Sequence, residues 1–408
     1  MTDLAYAILG AIVLSTGLKI WLVRRQMRAA AAHRGAVPAA FAASVSLPEH
    51  QKAADYTVAT GRLDCAKSAF DCLLTVAWLS LLLAPFHAWF STLAGPGVWR
   101  STAEVLALSL LGSLIAAPFG AYRTFAVEER FGFNRTSVGL WLKDLAKGWA
   151  LMTVIGGALF AGMFWLLGHL SGLWWLWAWA GTMAVSVAAG VVYPLFIAPL
   201  FNKFEPLPDG AVKERVEALL SRCGFASGGL FVMDASKRST RGNAYFTGFG
   251  RAKRIVFFDT LLSGHGADEI EAVLAHEIGH FKHRHIVSRL GLAAVQMLAV
   301  FAALGWAFGP GGLAQQFGLP ADPGLTLVVG MSALEPLLRL CAPITNWFSR
   351  RAEFQADAYA KATVGGRPLS DALVRLSRDN AQTLTPDPLF AAFNYGHPPV
   401  PERVARLA

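Results

Sequence analysis

AVLAHEIGHFKHRH, residues 272–285, packs four histidines with Glu277, Lys282 and Arg284 into a chain that is otherwise mostly apolar. Ala272, Val273, Leu274, Ala275 and Ile278 suit a helix, and Gly279 is its one breaker. Glu269 and Glu271 lie near its start, where negative charge favours the helix dipole. On a helix His276 and His280 are about one turn apart, so both imidazoles project from one face and Glu277 lies beside them. This HExxH spacing suits one chemistry: neutral imidazole nitrogens hold zinc, while an unligated carboxylate takes a proton from water as it attacks a carbonyl. The plain alternative is a solvated helix face leading into an apolar segment.

The surrounding chain is read as a membrane protein. It is 54% hydrophobic and 15% charged, with thirteen Trp and twenty-seven Phe among 408 residues. Its mean hydropathy of +0.44 is too high for an ordinary soluble protein. The net charge of +9 does not point to nucleic acid, because the basic residues are scattered between apolar runs, where they set orientation. Cys65, Cys72, Cys223 and Cys341 show no CxxC spacing and read as free thiols.

Seven apolar stretches reach spanning length, about 20 residues: near 4–23, 69–92, 103–122, 149–169, 172–194, 287–309 and 325–347. The first is interrupted by Lys19 and lacks a clear small-residue cleavage site, so it is read as a retained span. Arg24, Arg25, Arg28, Arg34, Lys52, Arg62 and Lys67 follow the first span, and Arg123, Arg130, Arg135, Lys143 and Lys147 follow the third. Those segments are expected to be cytoplasmic. The opposite loops carry Arg100 alone. Seven crossings then leave the amino terminus outside and residues 195–286 and 348–408 inside.

HExxH supplies two protein ligands, whereas a catalytic zinc takes three plus water. Two spans follow His280, out and back, and directly after them comes SRRAEFQADAYA, residues 349–360, a helical pattern with Glu353 and Asp357 four apart. An even number of crossings returns Glu353 to the face that holds His276 and His280. Glu353 is therefore the expected third ligand, and Asp357 is placed to hydrogen-bond a ligand histidine and fix its tautomer. A surface acidic pair neutralised by Arg350 and Arg351 is the alternative. His283 and His285 are expected to be solvated or interfacial, since position 283 is not the glycine of HExxHxxGxxH. In FNYGHPPVPERV, residues 393–404, His397 sits in a proline-bounded turn, a candidate donor to a tetrahedral oxyanion.

Between the fifth and sixth spans the pattern predicts a helix at 211–222, strands near 229–233 and 254–258, and then the HExxH helix. An extended peptide adding to a strand edge, such as one following NAYFTGF, would present its scissile bond to zinc.

A series of segments carries a resemblance through most of the chain: ERFGFNRTSVGLWLKDLAK (129–147), YPLFIAPLFNKFEPLPDG (193–210), DASKRSTRGNAYFTGFG (234–250), RIVFFDTLL (254–262), AHEIGHFKHRH (275–285), SRRAEFQADAYA (349–360) and HPPVPERV (397–404). In these the sequence resembles the integral-membrane zinc endopeptidases of the CAAX prenyl protease 1 type, as a bacterial-looking homologue. The resemblance implies one zinc ion on His276, His280 and Glu353, with Glu277 as catalytic base, in agreement with the reading from spacing. It also implies that Asn243 and His397 contact the substrate backbone. Arg241-Gly242, ahead of Asn243, departs from the family pattern and puts the loop shape in doubt.

The implied fold is mostly α, a polytopic membrane protein with seven transmembrane helices around a water-filled internal chamber and a small α+β zincin-like cytoplasmic domain. Residues 1–202 are expected to form a membrane domain with five spans, and 203–408 a metalloprotease domain containing the last two spans and a carboxyl-terminal helical segment. The implied partners are the lipid bilayer and a peptide or lipidated-protein substrate; nothing in the residues sets an oligomeric state. A multi-pass protein of a bacterial inner membrane with a cytoplasmic active site is expected. Heat-shock-type membrane quality-control proteases share HExxH and the later Glu but are shorter, with fewer spans.

Overall fold

The computed structural model describes residues 1–170, 172–225, 228–247 and 254–408. The first half of the chain forms five long helices: α1 Asp3–Ala32, α2 Leu47–Ser91, α3 Val98–Glu128, α4 Val138–His169 and α5 Trp174–Phe201. A small mixed unit follows, with β1 Phe204–Pro206, α6 Ala211–Arg222, β2 Leu230–Met233, β3 Ala244–Thr247, β4 Arg254–Phe258 and α7 Ala267–Lys282. Two more long helices, α8 His285–Ala307 and α9 Pro323–Val364, lead to α10 Gly366–Asp379, α11 Pro388–Asn394 and α12 Val400–Leu407.

Among the described residues seven helices, α1–α5, α8 and α9, are long and apolar enough to cross a membrane. Their burial is inverted relative to a soluble core. Leu14, Leu73 and Trp99 leave more than 70% of their surface exposed, a surface suited to lipid. Polar groups finish the helix ends. Ser46 and Glu49 close α2 with a capping box, and Asp322 Oδ1 accepts from Gly324 N at 2.7 Å to begin α9. π-helical turns at Trp78–Leu82, Arg123–Glu128, Met152–Gly156 and Tyr193–Ile197 interrupt or end α2–α5.

The helices outrun the apolar stretches. α2 starts at Leu47, some twenty residues before its apolar run, and its first turns carry charged residues such as Glu49, Lys52 and Asp55. The helix expected after the seventh span is instead the continuation of that span: α9 is one helix of 42 residues with Pro336 and Pro343 inside it, roughly 60 Å long at 1.5 Å per residue. It links two polar centres. At one end Arg100 donates to Asp322 at 2.6 Å and His87 Nδ1–H donates to Glu104 at 2.9 Å, tying α2 and α3 to the start of α9. At the other end lie Glu353 and Asp357.

The sheet has the order β1-β2-β4-β3, with β2 and β4 parallel and the outer pairs antiparallel. The strands anticipated near 229–233 and 254–258 are β2 and β4; β1 and β3 were not anticipated. The segment directly after NAYFTGF, residues 250–253, lies outside the described residues, and the strand that follows it, β4, has a neighbour on each side and offers no free edge. The described edge strand, β3, lies within NAYFTGF itself. Ile255 and Phe257 of β4 pack with Val216, Leu219, Ile270, Leu274 and Ile278 in the core of this unit, so α6 and α7 cover one face of the sheet. A cavity of about 1000 Å³ opens between this unit and the first two helices, reached by Met27 of α1, Tyr56 of α2, Asn243 and His397.

Candidate active site

α7 is anchored by its apolar side. Ile270, Leu274 and Ile278, four apart, are almost wholly buried, which fixes the helix's rotation and turns His276 and His280 toward α9. Gly279 permits the approach: a Cβ there would lie 2.9 Å from Ala356 Cα and 3.1 Å from Tyr359 Cβ. The residue that looked like a helix breaker is the contact point of the two helices. Ala356 is three residues beyond Glu353, about one turn, so this contact sets the height of Glu353 against the histidines.

His276, His280 and Glu353 converge. The two Nε2 atoms are 3.2 Å apart, Glu353 Oε2 is 3.3 Å from His276 Nε2, and Glu353 Oε1 is 3.3 Å from His280 Nε2. Atoms bound about 2.0–2.1 Å from a tetrahedral ion lie about 3.3–3.4 Å apart, so the donor set fits a zinc-sized cation. Lone pairs facing one another also need a positive centre between them. Glu353 is fully buried, and among the described residues its Oε2 has no hydrogen bond of good geometry.

Each histidine is oriented from behind. His276 Nδ1 lies 2.8 Å from Asp357 Oδ1, so Nδ1–H donates there and Nε2 faces the centre. Arg403 holds Asp357 in turn, through Nε at 2.9 Å and Nη2 at 2.6 Å. Burial pulls the His276 pKa down, but the hydrogen bonds to Asp357 and Glu353 outweigh it and hold the imidazole above the ordinary histidine range. His280 Nδ1 is 2.9 Å from His285 Nδ1, and His285 Nε2 is 2.9 Å from Gln355 Oε1. One tautomer set satisfies the whole chain: His280 donates to His285, which donates to Gln355.

That corrects the expectation for His285, which is buried and not solvated. Arg284, between α7 and α8, adopts a left-handed φ of 56°, a bend that returns the next side chain toward His280 at some cost in backbone energy. His283 is exposed, as expected.

Glu277 is half-buried beside the pair. His397 is exposed on the cavity wall, with Nδ1 2.8 Å from Glu353 Oε2. Asn243 shares that wall, and its Oδ1 accepts from Ala244 N at 2.8 Å. Arg403 and Gln355 were not singled out from the sequence, and His285 was weighed there only as a solvated or interfacial residue. Arg403 and Gln355 do lie inside the quoted segments HPPVPERV and SRRAEFQADAYA. Arg289 also reaches Glu353 Oε1, at 3.2 Å.

A largely buried cluster of the two HExxH histidines and one carboxylate from α9, set on seven membrane helices, defines an integral-membrane metallopeptidase. The family description "CAAX prenyl protease N-terminal, five membrane helices" matches residues 26–203, and "Peptidase family M48" matches residues 206–408. CAAX prenyl protease 1 homolog of Arabidopsis thaliana is 38% identical over 294 residues, 71% of this chain and 69% of that one. CAAX prenyl protease 1 of Saccharomyces cerevisiae is 36% identical over 319 residues, 74% and 70% of the two chains. The crystal structure of S. mikatae Ste24p superposes with a TM-score of 0.92 at 29% identity, covering 100% of this chain and 99% of that one. The chain belongs to the CAAX prenyl protease 1 family of M48 peptidases.

Proposed function

We propose that His276 Nε2, His280 Nε2 and Glu353 hold one zinc ion, and that the enzyme cleaves proteins close to a lipidated carboxyl-terminal cysteine. The observation that carries this reading is the convergence of three ligand atoms at 3.2–3.3 Å next to Glu277 and the wall of the cavity. When bound, zinc supplies a Lewis acid that polarises the scissile carbonyl and acidifies water. Glu277 takes the proton from the attacking water and delivers it to the leaving amine. Asp357, braced by Arg403, keeps the His276 proton on Nδ1, and His285 does the same for His280. His397 presents its imidazole to the developing oxyanion, and Asn243 holds the peptide backbone at the start of β3. The proposal places residues 203–408 as the metallopeptidase domain, 1–202 as the membrane domain, and the active site at the cytoplasmic face of a bacterial inner membrane. The charge distribution of the loops supports that orientation.

The test is Glu277→Gln. The purified variant should keep wild-type zinc by metal analysis and lose about 10²- to 10⁴-fold in turnover of a farnesylated carboxyl-terminal peptide. Wild-type turnover would remove Glu277 as the base; loss of metal would make it a ligand.

A further inference from the structure

We infer that Arg241 forms a subsite for the free α-carboxylate of the substrate, the far end of the short peptide that is released. The inference rests on the reading of the substrate as a protein cut near its carboxyl terminus. Among the described residues three arginines reach the wall of the cavity, Arg238, Arg241 and Arg403, and the hydrogen bonds of each distinguish them. Arg238 is committed on all three nitrogens, with Nε and Nη2 on Asp144 at 2.9 and 3.1 Å and Nη1 on Asn202 at 2.8 Å. Arg403 is buried and bound to Asp357 through two nitrogens, its Nη1 turned toward Glu353 at 4.0 Å. Arg241 uses Nη2 alone, donating to Glu128 Oε2 at 2.9 Å and to the Tyr56 hydroxyl. Nε and Nη1 bond to no described residue, which leaves three of its five N–H donors for a ligand.

This guanidinium is also held in place. It lies over the Phe133 ring at 4.7 Å and the Tyr56 ring at 5.2 Å from their centroids. Its loop is pinned to the segment after α3 by Arg135 N donating to Arg238 O at 3.0 Å and Thr240 N donating to Phe133 O at 3.2 Å. Pinning reduces the ordering entropy that binding would otherwise cost.

Chain direction puts the carboxylate at this end. Among the described residues β3 pairs with β4 on one side only, and of the two sheet edges it is the one that begins beside Asn243, so its other edge can take an extended peptide. In the antiparallel mode, the slightly more stable one, the peptide runs opposite to β3. Its carboxyl end then passes Asn243 and reaches the residues that precede it, where Arg241 stands two positions upstream. The acidic residue on the same wall, Asp64, is paired with Arg123 and does not compete for Arg241.

The experiment compares kcat/KM of the zinc-loaded wild-type enzyme, Arg241→Gln and Arg241→Lys on four peptides of one sequence, farnesylated or unmodified at cysteine and ending in a free acid or an amide. Wild type should favour the acid over the amide by about 10- to 100-fold, the scale of hydrogen bonds to a charged group. Arg241→Gln should bring that ratio close to one, and Arg241→Lys should keep part of it. A wild-type enzyme indifferent to acid or amide would overturn the inference, and that arm needs no variant. An unchanged ratio in Arg241→Gln would overturn it equally. The farnesyl comparison reports separately: equal cleavage of modified and unmodified peptides would remove the lipidated-substrate reading, while the acid-to-amide ratio still decides Arg241.

Discussion

Gly279→Ala gives a sign that helix propensity and tertiary packing predict oppositely. In a helix interior alanine is favoured over glycine by about 1 kcal/mol, so propensity alone makes the variant more stable. The structure argues the reverse, because the new Cβ would lie 2.9 Å from Ala356 Cα, 3.1 Å from Ala356 O and 3.1 Å from Tyr359 Cβ. None of these is the end of a flexible side chain that can swing away. Restoring ordinary carbon contacts of about 3.5–4.0 Å requires α9 to retreat from α7 by about 0.6–1.1 Å. Overpacking of this kind costs about 1–3 kcal/mol, so the net effect is a loss of about 0–2 kcal/mol. The larger effect falls on the metal. Glu353 is about one turn from Ala356, and metal–ligand distances tolerate only about 0.2 Å, so the retreat takes Glu353 out of bonding range. Zinc affinity should fall at least as far as when a ligand's hydrogen-bond partner is lost, about 10- to 100-fold. Chelator competition and thermal melting in detergent measure both quantities. Gly291→Ala in α8, where a Cβ meets nothing within 4 Å, is the control and should hold wild-type affinity. Wild-type zinc affinity and melting temperature in Gly279→Ala would refute the argument that this glycine sets the α7–α9 contact.

His285→Ala should weaken zinc binding by about 10- to 100-fold while leaving the three ligands in place; unchanged affinity would return His285 to a packing role. His397→Ala should lower kcat strongly with little change in KM, since an oxyanion contact forms mainly in the transition state, whereas Asn243→Ala should raise KM more than it lowers kcat. Equal, purely KM-type defects would mark both as substrate clamps. The pH dependence follows from the raised pKa of His276. In enzyme stripped by a chelator, the imidazolium form contributes stability that is complete below the unfolded value of about 6.5 and is lost as pH rises through the raised folded value. Zinc needs the unprotonated ring, so its binding has the opposite sign. The difference in melting temperature with and without chelator should therefore widen with pH above about 6.5, and a difference that narrows would contradict the assignment.

The parts of the site legible in the sequence are those written in local spacing. His276, Glu277 and His280 lie on one helix within five residues, and Glu353 and Asp357 on another, so helical periodicity alone sets each group on a face. Joining them needed only the parity of two crossings. The limits of the spans were less legible, because hydropathy registers where a helix meets lipid, not where its hydrogen bonding ends. α2 carries His50, Lys52, Asp55, Arg62, Asp64 and Lys67 before its apolar run, and α9 continues unbroken from its span into the metal centre. β3 is four residues long, all half-buried, and gives no clean alternation to read.

The supports behind the ligands are a different case. Arg403 meets Asp357 across 46 residues and His285 meets Gln355 across 70, so no periodicity relates them. A buried arginine on a buried carboxylate cannot be told from a surface pair until burial is known. Its physical consequence also depends on burial: two exposed charges would be screened by water, whereas Asp357 and Arg403, both buried, keep their full influence on His276. Gly279 carries the same lesson in one atom. Whether it breaks α7 or completes it is decided by Ala356, 77 positions further along the chain, and only the approach of the two helices turns the missing Cβ into room for a metal site.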